Sequence, residues 1–409
     1  MIRARDTEIA VIGGGVVGSA CALALARSGR PVLQIDRGEP RRACSFGNAG
    51  HIGTEQRVPL ASPQTLRDLP RMLLDRTGPL AIRPGVLPQL LSDWGWRFLA
   101  AARPSAYRRG CALLAPLADS ALADLRDLLA GSPAAPRLIE RGHHLVWQSG
   151  KPDTVQFEEE GLPYKLWRDG DWPVMPDSVR AKIKGGLTFT ATAHVTSPWG
   201  IVEGLNQAFL EQNGQRLQGE VRLIAPQDGG WRIDCGERIV TADQILLATG
   251  VEAPALLAPL GYKVPVVAER GYHIAIPGAG GLIDAPILFR ERDVIITPME
   301  KELRATTTTE FSPLGAPPNP RRWALLRQHL VESGWTQAAS GTSDWMGNRP
   351  TLPDYLPVIG RSQRHPGLIF AFGHQHLGLT LSGVTARLIR DLVAGRSVPA
   401  AGLGIERFQ

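Results

Sequence analysis

The sequence lacks the features that define several classes of protein. Its 409 residues contain four cysteines, none in a CxxC pair, so neither a disulfide framework nor a cysteine-rich metal site is expected. No run of about 18 apolar residues is free of glycine or charge, so we expect no transmembrane helix. No recognition motif accompanies the net charge of +6, which argues against a nucleic-acid partner. Together these absences favour reduced thiols and a cytoplasmic location.

Histidine spacing and the N-terminus exclude two further features. His143 and His144, like His374 and His376, lack companion ligands at the spacings typical of metal sites, so no metal is expected. Basic residues do precede an apolar stretch near the N-terminus, as in a secretory leader. The triplet at 13–15 is all glycine, however, and would break the apolar helix of a leader. We therefore expect no cleavage and no export.

The positive charge comes mainly from scattered arginines. Its densest group is Arg97, Arg103, Arg108 and Arg109, which lie among apolar and aromatic residues. A solvated helix face accounts for this pattern. The alternative is a surface for anionic lipid at the inner face of a membrane, or for an acidic electron acceptor. Both interpretations stay open at the level of sequence.

The segment from Ile9 to Asp36 predicts a nucleotide-binding βαβ unit, because strand, glycine turn, helix, second strand and terminal acid follow in one run. Gly13 permits the tight turn, Gly15 lets the backbone approach a pyrophosphate, and Gly18 lets the helix pack closely on the strand. Free N–H groups at the helix start bind the phosphates. Asp36 accepts both hydroxyls of an adenosine ribose, which disfavours NADP.

Five segments in one order carry a resemblance to a known family. Together they resemble the FAD-dependent D-amino-acid oxidase superfamily, which includes glycine oxidase, sarcosine oxidase and the bacterial D-amino-acid dehydrogenases. The loop SFGNAG is most similar to the dehydrogenase branch, and GHIGTEQRVPLASP with GHQHLGLT is similar to the subgroup associated with D-hydroxyproline. The segments are VIGGGVVGSACALALARSGRPVLQID at 11–36, SFGNAGHIG at 45–53, ILLATG at 245–250, WMGNRPTLPDYLPVIG at 345–360 and GLIFAFGHQHLGLTLSGVTARLI at 367–389.

The resemblance implies an α/β fold with two domains. A Rossmann-like FAD-binding domain of the glutathione-reductase type would carry an inserted α+β substrate domain built on a mainly antiparallel sheet. FAD is expected to be non-covalent, because no cysteine follows Cys235 and none lies in the C-terminal flavin loop. The FAD-binding domain is expected at residues 1–60, 194–255 and 340–409, and the substrate domain at residues 61–193 and 256–339.

The resemblance also implies which residues contact FAD. Gly13, Gly15 and Gly18 would hold its pyrophosphate. Asp36 would bind the AMP ribose, with Arg37 on the adenine side. A helix start after the C-terminal loop would direct N–H groups and the positive end of the helix dipole at the flavin pyrimidine, favouring the anionic reduced flavin. The other expected contacts are Ser45, Gly47, Asn48, Ala49, Gly50, Val221, Ala248, Gly250, Gly373, His374, Leu377, Gly378, Leu379 and Thr380.

Three side chains are candidates for substrate recognition. In the resembled family the arginine that matches Arg349 pairs with the substrate carboxylate, and a planar guanidinium suits bidentate binding. A structural ion pair is the alternative. Tyr272 is expected in the roof over the flavin, pointing away from Arg270 and His273, where its hydroxyl donates to the carboxylate or shapes the pocket. His51 either meets the substrate amine or side chain, or is a packed, hydrogen-bonded histidine.

The reaction implied by the resemblance is hydride transfer from the substrate Cα to flavin N5. It yields an imine, or a pyrroline from a cyclic amine. Substrates like D-proline or D-hydroxyproline are expected, with electrons passed to a respiratory or other non-oxygen acceptor. One alternative is an amine oxidase of the glycine or sarcosine oxidase type that uses oxygen. The other is a flavin-carrying subunit of a hetero-oligomer, catalytic only beside a partner.

Overall fold

The computed structural model describes residues 6–75, 78, 80–168, 170–336 and 342–409, whose strands form three sheets. In chain order the strands are β1 (Thr7–Ile12), β2 (Val32–Asp36), β3 (His51–Ile52), β4 (Leu80–Ile82), β5 (Leu138–Ile139), β6 (His143–Trp147), β7 (Tyr164–Leu166), β8 (Gly185–Phe189), β9 (Ala193–Val195), β10 (Gln215–Gln218), β11 (Leu223–Gln227), β12 (Gly230–Asp234), β13 (Ile239–Leu247), β14 (Val267–Pro277), β15 (Ile287–Phe289), β16 (Val294–Pro298), β17 (Glu302–Phe311), β18 (Ser343–Thr351), β19 (Val358–Arg361) and β20 (Leu368–Phe372). The α-helices are α1 (Val16–Arg27), α2 (Pro63–Leu74), α3 (Leu87–Gln89), α4 (Gly95–Ala101), α5 (Pro104–Leu129), α6 (Val155–Glu159), α7 (Asp177–Arg180), α8 (Pro198–Glu211), α9 (Ala253–Leu257), α10 (Pro320–Glu332) and α11 (Ser382–Val393).

The first sheet grows from the βαβ unit that the sequence predicts. Strands β10, β2, β1, β13 and β20 lie side by side and run parallel, while β12 and β11 extend the sheet as an antiparallel hairpin. Alternation along β1 buries both of its faces. Ile9 and Val11 enter the core formed with α1, α8 and α11, and Ala10 and Ile12 enter the core on the other side. The Rossmann-like arrangement is confirmed.

The second sheet is mainly antiparallel, as expected. Its order is β18, β14, β17, β16, β15, β6, β8 and β7, with parallel pairing between β15 and β6 and between β17 and an added strand, β4. Helix α10 packs Leu326 and Leu330 against Ile274 and Phe289 of this sheet. The smaller third sheet joins β3 to β9 and β5, which ties the loop after β2 to the chain that leads into α8.

The structure divides the chain differently from the expected domain boundaries at two points. Strand β18 hydrogen-bonds along β14 from Ser343 to Thr351, so the chain stays in the second sheet beyond residue 340. Helix α5, expected outside the nucleotide domain, packs on α11 and contributes Leu117 and Leu125 to the core of the first sheet. Long-range packing, which local periodicity does not report, decides both points.

Membrane insertion can be judged directly from the helices. Within the described residues, no helix is both long enough and apolar enough to cross a membrane.

Candidate active site

The glycine turn after β1 borders a cavity of about 730 Å³. A Cβ on Gly13, whose φ is +113°, would lie 2.4 Å from the carbonyl oxygen of Ala248, and one on Gly18 would lie 2.1 Å from that of Gly13. At Gly15 the nearest atom is Ser45 Oγ, at 3.3 Å. The first and third glycines are therefore required by close packing within the protein, while the Gly15 backbone has more room toward the cavity.

The same cavity holds the groups that a dinucleotide needs. Helix α1 begins beside it, and the Val16 N–H at that helix start donates to Ser45 Oγ over 3.0 Å. The Asp36 carboxylate is fixed at the end of β2, where it accepts hydrogen bonds from the N–H groups of Gly14 (2.7 Å) and Gly38 (2.8 Å). Helix-end N–H groups for a pyrophosphate and a fixed carboxylate for a ribose match an adenine dinucleotide.

Arg37 does not stand free on the adenine side as expected. Its guanidinium forms an ion pair with Glu252, which follows β13 at the carboxyl edge of the sheet. Both side chains border the cavity. Val221, Ala248 and Gly250, which the resemblance assigns to FAD, also line this cavity.

A second cavity of about 790 Å³ continues from the first. Both are lined by Val16, Cys44, Ser45, Gln375 and Gly378, so the two spaces meet at the loop after β2 and the loop after β20. The apolar part of its wall comes largely from the chain between α2 and α4 and from the end of β17. Its apolar residues include Leu69, Met72, Ile82, Trp94, Phe98 and Phe311.

Arg349 lies in the wall of this second cavity. Register pairs it with Glu269 across β18 and β14, and Arg349 Nη1 donates to Glu269 Oε1 over 3.0 Å. A Cβ on the adjacent Gly271 would lie 2.4 Å from Arg349 Nη2, so this glycine makes room for the guanidinium. The ion-pair alternative is therefore present, yet the side chain also remains part of the cavity surface.

Glu269 is the centre of a buried polar network. Besides Arg349, it accepts hydrogen bonds from Thr351 Oγ1 (2.9 Å), Thr309 Oγ1 (3.2 Å) and the Tyr355 hydroxyl (3.4 Å). Burial by itself favours the protonated acid, but the positive charge of Arg349 and the hydrogen bonds from Thr351 and Arg349 hold the pKa of Glu269 below its usual value. An ionised Glu269 fixes the plane of the Arg349 guanidinium.

The FAD dependent oxidoreductase family model, DAO, matches residues 8–392. The chain belongs to this family. It is 30% identical to a D-amino-acid oxidase of Bradyrhizobium diazoefficiens, over 98% of this chain and 99% of the relative. It is also 30% identical to a D-amino acid dehydrogenase of Cereibacter sphaeroides, over 98% of this chain and 95% of the relative.

Solved structures share the fold. Glycine oxidase from Geobacillus kaustophilus superposes with a TM-score of 0.73 at 18% identity, over 98% of this chain and 99% of that one. L-Proline dehydrogenase from P. horikoshii superposes with a TM-score of 0.66 at 15% identity, over 99% and 98%. The chain is thus an FAD-dependent oxidoreductase, and FAD is the dinucleotide that the first cavity fits.

The small residues of the loop after β2 are required by the protein's own packing. A Cβ on Gly47 would lie 2.1 Å from the Trp345 ring, and one on Gly50, at φ +77°, would lie 2.8 Å from the Val195 carbonyl oxygen. Gly50 lines neither cavity, contrary to expectation, because its backbone pairs with Val195 instead. Gly47, Asn48 and Ala49 do border the second cavity, where a flavin ring entering from the first would lie.

The loop between β20 and α11 leads directly into the helix, as expected. Helix α11 begins at Ser382, two residues after Thr380, which borders the second cavity. His374 borders the first cavity, but it is buried and its Nε2 bonds to Thr385 Oγ1 in α11 (3.0 Å). Burial lowers its pKa to about 3. The other expected contacts in the loop border one or both cavities: Gly373, Leu377, Gly378, Leu379 and Thr380.

Tyr272 is held away from the role expected for its hydroxyl. The hydroxyl donates to Glu310 Oε1 (2.8 Å) and accepts from the Asn319 N–H (3.1 Å), so its one proton is already used. Arg270 approaches the same Glu310 at 3.6 Å, so the two side chains share a face instead of pointing apart. The reason is strand geometry, in which residues two apart project to the same side. Tyr272 nevertheless borders the second cavity, as does Tyr355, whose hydroxyl contacts Glu269.

His51 matches the packed, hydrogen-bonded alternative while still bordering the second cavity. Its Nε2 bonds to Glu55 Oε1 over 2.9 Å, and its ring meets His143 edge-on at 4.5 Å between centroids. Next to it, His376 Nε2 bonds to Gln56 Oε1 at 2.6 Å. Burial lowers the pKa of His376 to about 4.

Sequence reasoning missed several cavity residues. The missed residues stand inside or beside the quoted family segments: Glu55, Gln56, Tyr355 and His376. For Glu55 and Gln56, the available signal was their spacing of four and five residues from His51. Glu269 carried no signal by itself. Only the register of β14 against β18 places it opposite Arg349.

Proposed function

We propose that this FAD-dependent oxidoreductase oxidises D-amino acids, transferring the Cα hydride to flavin N5. The observation that carries the proposal is the junction of the two cavities, since it joins a dinucleotide site to a pocket with an arginine in its wall. The names of the two 30% relatives, a D-amino-acid oxidase and a D-amino acid dehydrogenase, support the same substrate class. Substrates like D-proline and D-hydroxyproline are the first candidates.

Arg349 is the proposed anchor for the substrate carboxylate. Glu269 engages its Nη1, which leaves the other N–H groups of the guanidinium for a planar anion. A charge-assisted, two-point contact orients the substrate about its Cα. The ion pair with Glu269 therefore acts as a support for the anchor.

The remaining wall separates an apolar side from a polar edge. Trp94, Phe98 and Phe311 present apolar surface that excludes water and accepts a hydrocarbon side chain or ring. His376 and Gln56 form the polar edge, which suits the substrate amine or a ring hydroxyl. The flavin supplies the two-electron acceptor, while these residues orient the Cα–H.

The physiological acceptor is proposed to be a non-oxygen oxidant reached at the membrane surface. The stretch from α2 to α4 exposes Leu74 (83%), Leu91 (74%) and Trp96 (72%), and Arg67 and Arg71 of α2 are also exposed. Apolar side chains beside cations are the composition of a surface that binds anionic lipid. We define these five residues as the α2–α4 face.

Anaerobic absorbance spectroscopy tests the proposal. The purified flavoprotein is mixed with D-proline, D-hydroxyproline, D-alanine, D-phenylalanine, their L-forms, glycine and sarcosine. Bleaching of the flavin band by D-amino acids alone is the expected result. A flavin left oxidised by the whole panel, in a chain that turns over only beside a second subunit, would favour the hetero-oligomer.

Admission of oxygen then separates dehydrogenase from oxidase. Slow reoxidation in air, but fast reoxidation by an artificial dye, is expected for the proposed dehydrogenase. Rapid reoxidation with peroxide formation would establish the amine oxidase alternative instead.

A further inference from the structure

A compact group of metal-ligating side chains lies at the edge of the second cavity, which is the proposed substrate pocket and is called the substrate cavity from here on. His51, Glu55 and His143 each offer one ligand atom, and the three atoms lie within 4.8 Å of one another. In a tetrahedral zinc site with bonds of about 2.1 Å, ligand atoms stand roughly 3.4 Å apart. The observed spacing of at most 4.8 Å exceeds that value by no more than about 1.4 Å.

The group has unsatisfied ligand atoms in a buried setting. The side chain of His51 is 8% exposed and that of Glu55 is 14% exposed, and His143 is 1% exposed. Glu55 Oε2 has no hydrogen-bond partner although it is shielded from solvent, and the same holds for His51 Nδ1, the ring nitrogen that does not face Glu55. Orphaned buried polar atoms are rare in folded proteins and point to a missing ligand or ion.

His143 is oriented from behind as a metal-binding histidine would be. Its Nδ1 bonds to Thr192 Oγ1 over 3.1 Å, which leaves Nε2 for a ligand. Hydrogen bonds of this kind fix the tautomer and ring angle of metal-bound histidines. The ring is further held by stacking on Phe189 at 4.9 Å between centroids.

Position supplies an entry path for an ion. Glu55 borders the substrate cavity and also a third cavity of about 500 Å³, which Thr192 and Phe189 help to line. An ion arriving through either space reaches the group without unfolding of the chain. The charge also fits, since one carboxylate and two imidazoles match a divalent cation.

We propose that His51, Glu55 and His143 bind one divalent transition-metal cation of the zinc class, with a fourth position left for water. The ligand set was invisible in the sequence because His143, on β6 of the second sheet, lies 88 residues from Glu55, which follows β3 of the third sheet. The metal proposal does not depend on which substrate the enzyme oxidises. Its test therefore reads metal binding instead of turnover.

Cobalt titration is the primary experiment. The flavoprotein is dialysed against a chelator, titrated with Co²⁺ and followed by visible d–d absorption at wavelengths beyond the flavin bands. One equivalent of Co²⁺, displaced by Zn²⁺, is the expected result. X-ray absorption of the zinc-loaded wild-type protein should show two imidazoles and oxygen donors.

Variants locate the site. Glu55→Gln and His143→Gln should each weaken metal binding at least about 100-fold, and Thr192→Val should weaken it about 10- to 100-fold. His144→Gln is the matched control. His144 is next to His143 in the chain and is also buried, but its Nδ1 bonds to Thr188 Oγ1 outside the group. Circular dichroism and flavin content check that each variant is folded.

Three outcomes overturn the proposal. They are a wild-type protein that takes up neither Co²⁺ nor Zn²⁺ at micromolar concentration, sulfur in the zinc coordination sphere, and equal loss of binding in His144→Gln. The wild-type measurements decide the question even where a ligand variant does not fold.

Discussion

At the scale of single residues, the Arg349–Glu269 pair joins stability to function. Glu269 is buried and makes four hydrogen bonds, one of them to the arginine that borders the substrate cavity. Removing one member of a buried pair leaves the other charge uncompensated, at a cost of about 3–5 kcal/mol. A substitution at Arg349 therefore acts on folding as well as on substrate binding, and the two effects need separate measurements.

Arg349→Lys is the sharper test of the proposed anchor. Lysine keeps the positive charge beside Glu269 but loses the planar, two-point donor. We expect the dissociation constant of a D-amino acid, measured by anaerobic flavin reduction, to rise by about 10- to 100-fold, corresponding to about 1.5–3 kcal/mol. Arg327→Lys, which alters an ion pair with Asp344 outside the cavity, is the control. Unchanged substrate affinity in Arg349→Lys would remove Arg349 from the proposed site.

At the scale of elements, the glycines of the turn between β1 and α1 have two different roles. Gly13 is required by packing within the protein, whereas Gly15 leaves room for a ligand. A side chain at Gly13 would meet backbone at 2.4 Å in a left-handed conformation, whereas one at Gly15 would first meet a serine hydroxyl at 3.3 Å. Gly13→Ala is expected to lower the free energy of unfolding of the apoprotein by several kcal/mol. Gly15→Ala is expected to spare it and to weaken FAD binding at least about tenfold.

Thermal unfolding of the apoprotein and fluorescence titration with FAD measure the two effects. If Gly15→Ala binds FAD as tightly as the wild type, the pyrophosphate does not approach this glycine. Acid precipitation of the holoprotein provides a related check, because release of yellow colour into the supernatant is expected for non-covalent FAD.

The helices on the rim of the substrate cavity give a second prediction at this scale. The α2–α4 face exposes three large apolar side chains beside two arginines. Leu74→Asp combined with Trp96→Asp should reduce sedimentation with anionic lipid vesicles at least about tenfold. Val155→Asp alters an apolar residue of α6 that is 60% exposed and serves as the control. Wild-type protein that fails to sediment with the vesicles contradicts the proposed membrane contact.

At the scale of the whole molecule, buried neutral histidines couple folding to pH. Burial lowers the pKa values of both His273 and His374 to about 3, with nearby Arg304 contributing at His273. In the unfolded chain each histidine has a pKa of about 6.5, so below that pH it binds a proton that the folded state does not bind. Stability is therefore full above about pH 6.5 and falls as the pH drops toward 3, by about 1.4 kcal/mol per pH unit for each histidine.

Denaturant unfolding at pH 7.5 and pH 5.5 measures this loss. In His374→Gln the loss between the two pH values should be smaller by about 1 kcal/mol, although the variant is less stable at pH 7.5 because the bond to Thr385 is changed. An equal pH dependence in variant and wild type would show that His374 takes up its proton in the folded state.

Local sequence patterns were enough to predict a functional unit where one continuous segment forms it. The βαβ unit is such a case, because the glycine turn, helix start and Asp36 lie within one run whose geometry follows from short-range sterics. The mainly antiparallel second sheet and the arginine at 349 followed from resemblance over several segments. The Tyr272 hydroxyl and Gly50 differed from expectation, because partners distant in sequence occupy them.

The sequence by itself determined the nucleotide-binding βαβ unit, since periodicity and glycine placement act over a few residues, and its resemblance over five segments indicated the class of fold and the family. Only the tertiary structure decided that Glu269 supports Arg349, that the two cavities meet, and that His143 joins His51 and Glu55. Each of these depends on strand register or on packing between segments tens to hundreds of residues apart. Such contacts are set by the burial of whole faces, which no short stretch of sequence specifies.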